Sequence, residues 1–178
     1  MRQRMWSPIR TLLLGFSLAF APALVLADDA QVVTVEAPKN RFAITFPGHG
    51  WALDSRENSG NSEYYRFTNA AQNLTASVTI EPAADCETAE QCREFLWLDP
   101  APIYDQARDI ERIDDINGFS VLKFIMPTQF DGTQTCELNF SAHMVKRGYW
   151  IDMHLTKMPS TAADTEDMAQ FLERVSVR

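Results

Sequence analysis

The chain has 178 residues, of which 46% are hydrophobic and 22% charged. This apolar content excludes a disordered chain, and seven glycines and nine prolines are too few for a fibrous one. Three cysteines are too few for a scaffold built on disulfides, and a formal net charge of −8 repels phosphate backbones. We therefore expect an acidic globular protein without a nucleic-acid partner.

The first 27 residues have the pattern of a secretory signal peptide. Three arginines within the first ten residues make the N-terminus positive, and an uncharged apolar run over 11–27 follows. This run contains Pro22 and falls short of the ~20 residues that span a membrane comfortably, so we expect cleavage near Ala27 and not a retained anchor. The mature chain, 28–178, is then predicted to be a single periplasmic or secreted domain with no stable membrane span.

Alternating apolar residues predict strands in the first half of the mature chain. The segment 42–46 ends at a Pro-Gly-His-Gly turn, a short aromatic strand follows over 64–67, and 74–80 has one apolar and one polar face. The repeat then lengthens to about 3.6 residues, which predicts a helix over 87–98 with Asp85 as its N-cap.

A long hairpin near the C-terminus can be placed in register from its residues. If 147–148 forms a two-residue turn, Met144 faces Ile151 and Phe140 faces Leu155. Every apolar pair then falls on one face of the hairpin, which is the consistency expected of a correct register.

Two tight turns and a closing helix complete the predicted elements. Asn117-Gly118 and Asp131-Gly132 are typical of hairpin turns, because these residues tolerate a positive φ. A final helix, capped at Ser160 or Thr161, has an apolar stripe of Met168, Phe171, Leu172 and Val175. These elements predict an α+β fold in which helices cover an antiparallel sheet, as an α/β/α sandwich.

The order of these elements resembles the PsbP-like and DcrB-like families of small exported proteins. Their Phe-Pro at the end of the first strand and the following Gly-Trp are found here at 46–47 and 50–51. The aromatic strand at 64–67, the hairpin at 116–119 and the closing helix follow in the same order, so the resemblance covers the chain from about Val32 onward. It implies an antiparallel sheet between helices and an accessory or binding role, with no shared catalytic residues to transfer.

All three cysteines lie in the mature chain, where export would permit a disulfide. We favour a Cys86–Cys92 bridge with Cys136 as a buried apolar side chain. Residues six apart in a continuous helix are about 9 Å apart along its axis, so this bridge requires Cys86 to lie in a loop that folds back on the first helical turn. The alternative is a Cys92–Cys136 bridge, because both side chains point toward the core in this interpretation.

The polar face of the last hairpin carries the residues most capable of catalysis or metal binding. In the predicted register, His143 lies opposite Asp152 and Ser141 lies opposite His154. Ser, His and Asp together suggest a hydrolase, and two His with an Asp suggest a metal site. However, no strained nucleophile turn is present, and side chains on a flat strand face diverge. We therefore predict a polar sheet face partly covered by a helix.

The candidate binding face consists of this polar group and the tryptophan on the same strand: Ser141, His143, Trp150, Asp152 and His154. The acidic clusters at 109–111 and 114–115 lack the spacing of a calcium loop, and we interpret them as the solvated face of a strand. We predict no catalytic residue, no metal ligand and no cofactor. The expected function is that of a non-catalytic exported accessory or binding protein with a protein or small-molecule partner. The alternative is a hydrolytic or metal-dependent enzyme that uses the same polar face.

Overall fold

The chain builds two antiparallel sheets, and helices contribute little to the fold. The computed structural model describes residues 33–98, 102–161 and 163–178, so the predicted signal peptide lies outside the described residues. The strands there are β1 (Val33–Glu36), β2 (Ala43–Phe46), β3 (Ala52–Asn58), β4 (Glu63–Asn69), β5 (Leu74–Pro82), β6 (Arg108–Ile116), β7 (Phe119–Phe130), β8 (Thr133–Lys146), β9 (Tyr149–Lys157) and β10 (Ser176–Val177). The helices are α1 (Ala89–Leu98), α2 (Asp164–Arg174) and two 3-10 helices, Pro38–Asn40 and Pro102–Gln106.

Seven of these strands form the larger sheet, in the order β3-β4-β5-β9-β8-β7-β6. The smaller sheet has the order β1-β2-β10. Strand β10 follows α2 directly and pairs with β2, so the end of the chain closes onto its first hairpin. This pairing joins segments more than a hundred residues apart and holds α2 against the large sheet.

The apolar core lies between the large sheet, the small sheet and α2. Phe46 of β2 connects all three layers: its ring stacks on Phe171 of α2 at 6.1 Å and meets Phe67 of β4 edge-on at 5.7 Å. Met168 and Leu172 of α2 are also buried, which confirms the predicted apolar stripe. Because aromatic pairs of this geometry add to the area they bury, this junction is where the two sheets are fixed to each other.

The predicted α/β/α sandwich is wrong, because the architecture is mostly β. Helix α1 has 10 residues and α2 has 11, and neither forms a full layer over the seven-stranded sheet. One face of that sheet is covered by the small sheet together with α2, and α1 with the Pro102–Gln106 helix packs on β7 and β8 of the other face. Strand patterns identify strands but do not reveal that short strands at the two ends of the chain pair into a second sheet.

The predicted hairpin register is confirmed. Met144 pairs with Ile151 and Phe140 with Leu155, around a turn in which Arg147 and Gly148 both have positive φ. The β6–β7 turn also has the predicted conformation, since Asn117 has φ 57° and Gly118 has φ 81°. The side chain of Asn117 donates to the carbonyl oxygens of Leu172 (3.1 Å) and Val175 (2.6 Å), and so caps the C-terminal end of α2.

Candidate functional site

Helix α1 lies over the polar face of the large sheet, and an ion pair and a disulfide packed on Trp150 hold it there. It begins at Ala89, and the hydroxyl oxygen of Thr88 accepts the backbone N–H of Gln91 at 3.2 Å. The predicted cap at Asp85 is therefore wrong: the Thr-x-x-Gln sequence that follows it supplies a better N-cap. The buried guanidinium of Arg93 donates to Asp114 of β6 at 3.2 Å, which ties the middle of the helix to the sheet edge.

A Cys86–Cys92 disulfide joins the loop before α1 to the helix and confirms the favoured pairing. Cys86 lies in the loop before α1, and the bridge packs on Trp150 of β9. The expectation for Cys136 is wrong, because this cysteine is free and exposed. Its place in β8 explains the error: β9 pairs with β8 only from Leu138 onward, so Cys136 lies beyond the part of the strand that the core covers.

His143 is the centre of the buried polar group beneath α1. The indole N–H of Trp150 donates to its Nδ1 at 3.1 Å, and its Nε2 lies 3.0 Å from the hydroxyl oxygen of Ser141. Ser141 is 3% exposed and His143 is fully buried. Oδ1 of Asp152 lies 3.6 Å from Nδ1 of His143, so serine, histidine and aspartate follow one another in the order of a hydrolytic triad.

The tautomer of His143 is the wrong one for that chemistry. An indole nitrogen can only donate, so Nδ1 of His143 must be an acceptor, and the proton of the neutral ring lies on Nε2. Nε2 therefore donates to Ser141 and cannot remove its proton. Burial lowers the pKa of His143 to about 3, which keeps the ring neutral. With both residues buried, a substrate has no path to the serine.

The pKa of Asp152 is shifted in the opposite direction from that of His143. Its Oδ1 is buried without a hydrogen-bond partner among the described residues, and the nearest polar atom of the cluster is the acceptor Nδ1 of His143. Burial, assisted by the negative charge of Glu81, raises the pKa of Asp152 to about 7. Below pH 7 the carboxyl group of Asp152 is therefore protonated, while the imidazole of His143 stays neutral with its single proton on Nε2.

His154 belongs to a second hydrogen-bonded group on the same face. Its Nε2 lies 2.9 Å from Oδ1 of Asn139, which also accepts the hydroxyl of Thr156 at 3.0 Å. The amide nitrogen of Asn139 donates to the backbone carbonyl of Glu137. Oδ1 is an acceptor, so Nε2 of His154 carries the proton, and burial lowers the pKa of the ring to about 4. The two histidines thus face different partners.

Beyond His154 the polar face opens into a cleft of about 330 Å³. We call it the β7–β8 cleft. Its lining residues are Tyr104, Gln106, Phe124, Met126, Pro127, Thr128, Glu137, Asn139 and His154. The rings of Tyr104 and Phe124 stand perpendicular, with centroids 5.6 Å apart, and Trp97 of α1 contacts both. Burial raises the pKa of Tyr104, and the negative charges of Asp152 and Glu137 raise it further.

The structure separates the predicted site residues into two groups. Ser141, His143 and Trp150 form a buried cluster with the partly exposed Asp152 beside it, and His154 is the one predicted residue that lines the cleft. Glu137 and Asn139 also line it, and their alternation with Ser141 and His143 along the strand is the signal that could have found them. Tyr104 lies in a five-residue 3-10 helix outside any periodic segment, so the sequence carries no comparable signal for it.

The chemistry that these groups support is binding. No three His, Cys, Asp or Glu side chains come together as a metal site in 33–98, 102–161 and 163–178. In the same part of the chain, no helix is both long and apolar enough to cross a membrane. What the face offers is a pair of aromatic rings beside a carboxylate, an amide and a neutral imidazole, in a cavity of the size that small ligands occupy.

Comparison with known proteins gives information about the fold alone. No family model matches the sequence, and no curated protein matches it. A crystal structure from Bacteroides thetaiotaomicron is 13% identical with a TM-score of 0.52; the match covers 82% of this chain and 48% of that one, so this chain spans about half of that protein. The solution structure of PsbP (CyanoP) from Synechocystis is 14% identical with a TM-score of 0.50, over 84% of this chain and 94% of that one. The chain is therefore similar to PsbP at the level of the fold.

Proposed function

We propose that the protein is an exported, non-catalytic binding protein that holds a small ligand in the β7–β8 cleft. One observation carries this proposal. Ser141 and His143 are buried and hydrogen-bonded to each other, in a tautomer that blocks serine activation, whereas the adjacent cleft is open and lined by aromatic and polar groups. The fold likeness to PsbP is compatible with an accessory role.

Export is supported by the chemistry of the cysteines as well as by the N-terminal pattern. A Cys86–Cys92 bridge forms and persists in an oxidising compartment, and is rare in a reducing cytosol. The test is the N-terminal sequence of the protein recovered from the periplasmic fraction. A mature start at Asp28 supports export with cleavage after Ala27, and full-length protein in the cytosol contradicts it.

The binding site can be tested with three probes of similar shape and different charge: phenethylamine, 2-phenylethanol and phenylacetate. Each is titrated into ¹⁵N-labelled protein while backbone amide shifts are followed. We expect at least one probe to shift the amides of Tyr104, Met126 and Glu137 in a saturable way. Amides of the distant edge strand β3 serve as the internal reference.

Two neighbouring substitutions provide the matched control for this titration. Thr128 lines the cleft and Gln129 next to it is exposed, so Thr128→Trp fills the cavity and Gln129→Trp leaves it open. Binding should be lost in the first variant and kept in the second. Met126→Ala removes one wall instead of filling the space, and should weaken binding as well.

Two results would contradict the proposal. One is the absence of any saturable shift in the cleft with all three probes. The other is turnover of a generic ester or peptide that Ser141→Ala abolishes, because this result would mean that the buried cluster is an active site after all.

A further inference from the structure

The electrostatics of the β7–β8 cleft select one class of ligand. Within the part of the chain that the structure describes, no Lys or Arg side chain lines the cleft, and His154 is neutral because burial lowers its pKa to about 4. Glu137 is half-buried on the wall. Its carboxylate forms no ion pair with any described residue. The cleft therefore carries a negative charge that no cationic side chain of its lining balances.

The aromatic rings of the cleft complement that charge. The ring of Tyr104 is partly exposed and meets the buried ring of Phe124 at an interplanar angle of 89°. Trp97 contacts both rings, at 5.6 and 5.7 Å, and so holds them in place before any ligand arrives. The face of an aromatic ring attracts a cation, and the attraction is strongest where water is displaced.

The amide group of Asn139 is already occupied and does not compete with Glu137 for a cationic ligand. Oδ1 of Asn139 accepts hydrogen bonds from both His154 and Thr156, and its amide nitrogen donates to a backbone carbonyl. This leaves the carboxylate of Glu137 as the charged partner for a ligand at this wall. A group with N–H donors and a positive charge satisfies it best.

We propose that the β7–β8 cleft binds an organic ammonium ion: a primary amine or a related cation with an apolar body. The charged group lies against Glu137, and the apolar body lies on the partly exposed Tyr104, which packs on the buried ring of Phe124. This inference rests on the proposed function and specifies the ligand of the same site. The net charge of −8 for the whole chain also favours the approach of a cation over that of an anion.

The test compares the dissociation constants of phenethylamine, 2-phenylethanol and phenylacetate, measured by amide-shift titration at pH 7. Phenethylamine should bind most tightly, and Glu137→Gln should weaken its binding about tenfold while leaving 2-phenylethanol unchanged. Glu57→Gln removes the same charge from the exposed strand β3 and should leave all three constants unchanged. Glu137→Lys reverses the charge and should shift the preference to phenylacetate.

The two levels of the proposal fail in different ways. If 2-phenylethanol or phenylacetate binds the cleft as tightly as phenethylamine, the ammonium assignment is overturned and the binding site stands. The assignment is also overturned if Glu137→Gln and Glu57→Gln weaken phenethylamine equally, because the effect then comes from net charge alone. If no probe shifts the cleft amides, the proposed function falls as well.

Discussion

The indole nitrogen of Trp150 lies 3.1 Å from Nδ1 of His143, and this contact determines which nitrogen of the imidazole carries its proton. Without it, serine, histidine and aspartate in this order could be read as a catalytic triad. With this contact present, Nε2 of His143 donates to Ser141 and Nδ1 is occupied, so no nitrogen of the ring is free to accept the serine proton. Because the indole N–H of Trp150 can only donate, its hydrogen bond makes Ser141, His143 and Asp152 a structural group and not a catalytic one.

The tautomers can be observed directly. At pH 7 both His143 and His154 should be neutral, with the proton on Nε2, because Nδ1 of His143 accepts from Trp150 and Nε2 of His154 faces the acceptor Oδ1 of Asn139. Long-range ¹H–¹⁵N correlation spectra of the imidazole rings report this assignment. A protonated Nδ1 on His143 would contradict the structure and revive the hydrolytic interpretation.

Removing the indole donor should destabilise the fold. In Trp150→Phe a phenyl ring replaces the indole, and the buried Nδ1 of His143 loses its hydrogen-bond donor. This loss should cost about 1–3 kcal/mol of unfolding free energy. Trp51→Phe is the matched control, because the indole of Trp51 donates at 3.3 Å to the carbonyl of the partly exposed Pro47 and the hydrogen bond is only part-buried. Urea denaturation should show a smaller loss for the control, and equal losses would contradict this account.

The slope of stability against pH between 5 and 6 reports on the buried titratable groups. The folded pKa values of His143 and His154 are lowered to about 3 and about 4, so unfolding takes up nearly two protons in this range. The folded pKa of Asp152 is raised to about 7, so unfolding releases nearly one. Net uptake of about one proton makes the wild-type protein more stable as pH rises, by about 1 kcal/mol per pH unit.

Two variants separate these opposing contributions. Asp152→Asn removes the group that releases a proton, so the slope should increase to about 2.5 kcal/mol per pH unit. His154→Gln removes one of the two groups that take up a proton on unfolding, so the slope should fall close to zero. Urea denaturation at pH 5.0, 5.5 and 6.0 measures all three slopes. An unchanged slope in Asp152→Asn would mean that this carboxyl group is ionised in the folded protein.

The turn at Asn117 should contribute to stability through both its backbone and its side chain. Asn117→Gly keeps the positive φ and loses the two hydrogen bonds to the end of α2, which should cost about 1–2 kcal/mol. Asn117→Ala also loses these hydrogen bonds, and alanine disfavours the positive φ of this turn, so this variant should cost about 1 kcal/mol more than Asn117→Gly. Asn73 has a similar φ of 51° and caps no helix, so Asn73→Gly is the control and should be nearly neutral in thermal unfolding.

The state of the thiols can be counted by alkylation and mass spectrometry. The native protein should take up one alkyl group, on the exposed Cys136, and the count should stay at one after denaturation without reductant. Reduction should raise it to three. Replacing Cys86 and Cys92 by serine should lower the unfolding free energy by about 2 kcal/mol, mainly because the unfolded chain gains conformational entropy without the cross-link. Protection of Cys136 in the native protein would contradict the structure and restore the sequence-based expectation.

The sequence predicts those parts of the fold that local patterns determine. The β8–β9 hairpin follows from strict alternation and a two-residue turn, and with it the placement of His143 opposite Asp152. The small sheet does not follow, because β10 has only two residues and pairs with β2 across most of the chain. Strand β3 is exposed along most of its length and has no apolar face for alternation to reveal.

The candidate site shows the same division. Strand periodicity places four polar residues and Trp150 on one face, but it does not show that α1 packs over Trp150 and His143 or that Tyr104 completes a cleft beside His154. Those facts depend on where a short helix and a 3-10 helix settle on the sheet. The tautomer of His143 depends in turn on one indole under that helix, so the chemistry of the site is a property of packing and not of residue spacing.

The two outermost strands of the large sheet determine how copies of this protein behave when crowded together. Both β3 and β6 are interrupted by register shifts, and both carry charged side chains along their exposed faces. A bulged, charged strand is a poor template for a further strand, because its backbone groups do not line up and its charged side chains would lose contact with water. We expect the protein to resist fibril growth even at high concentration.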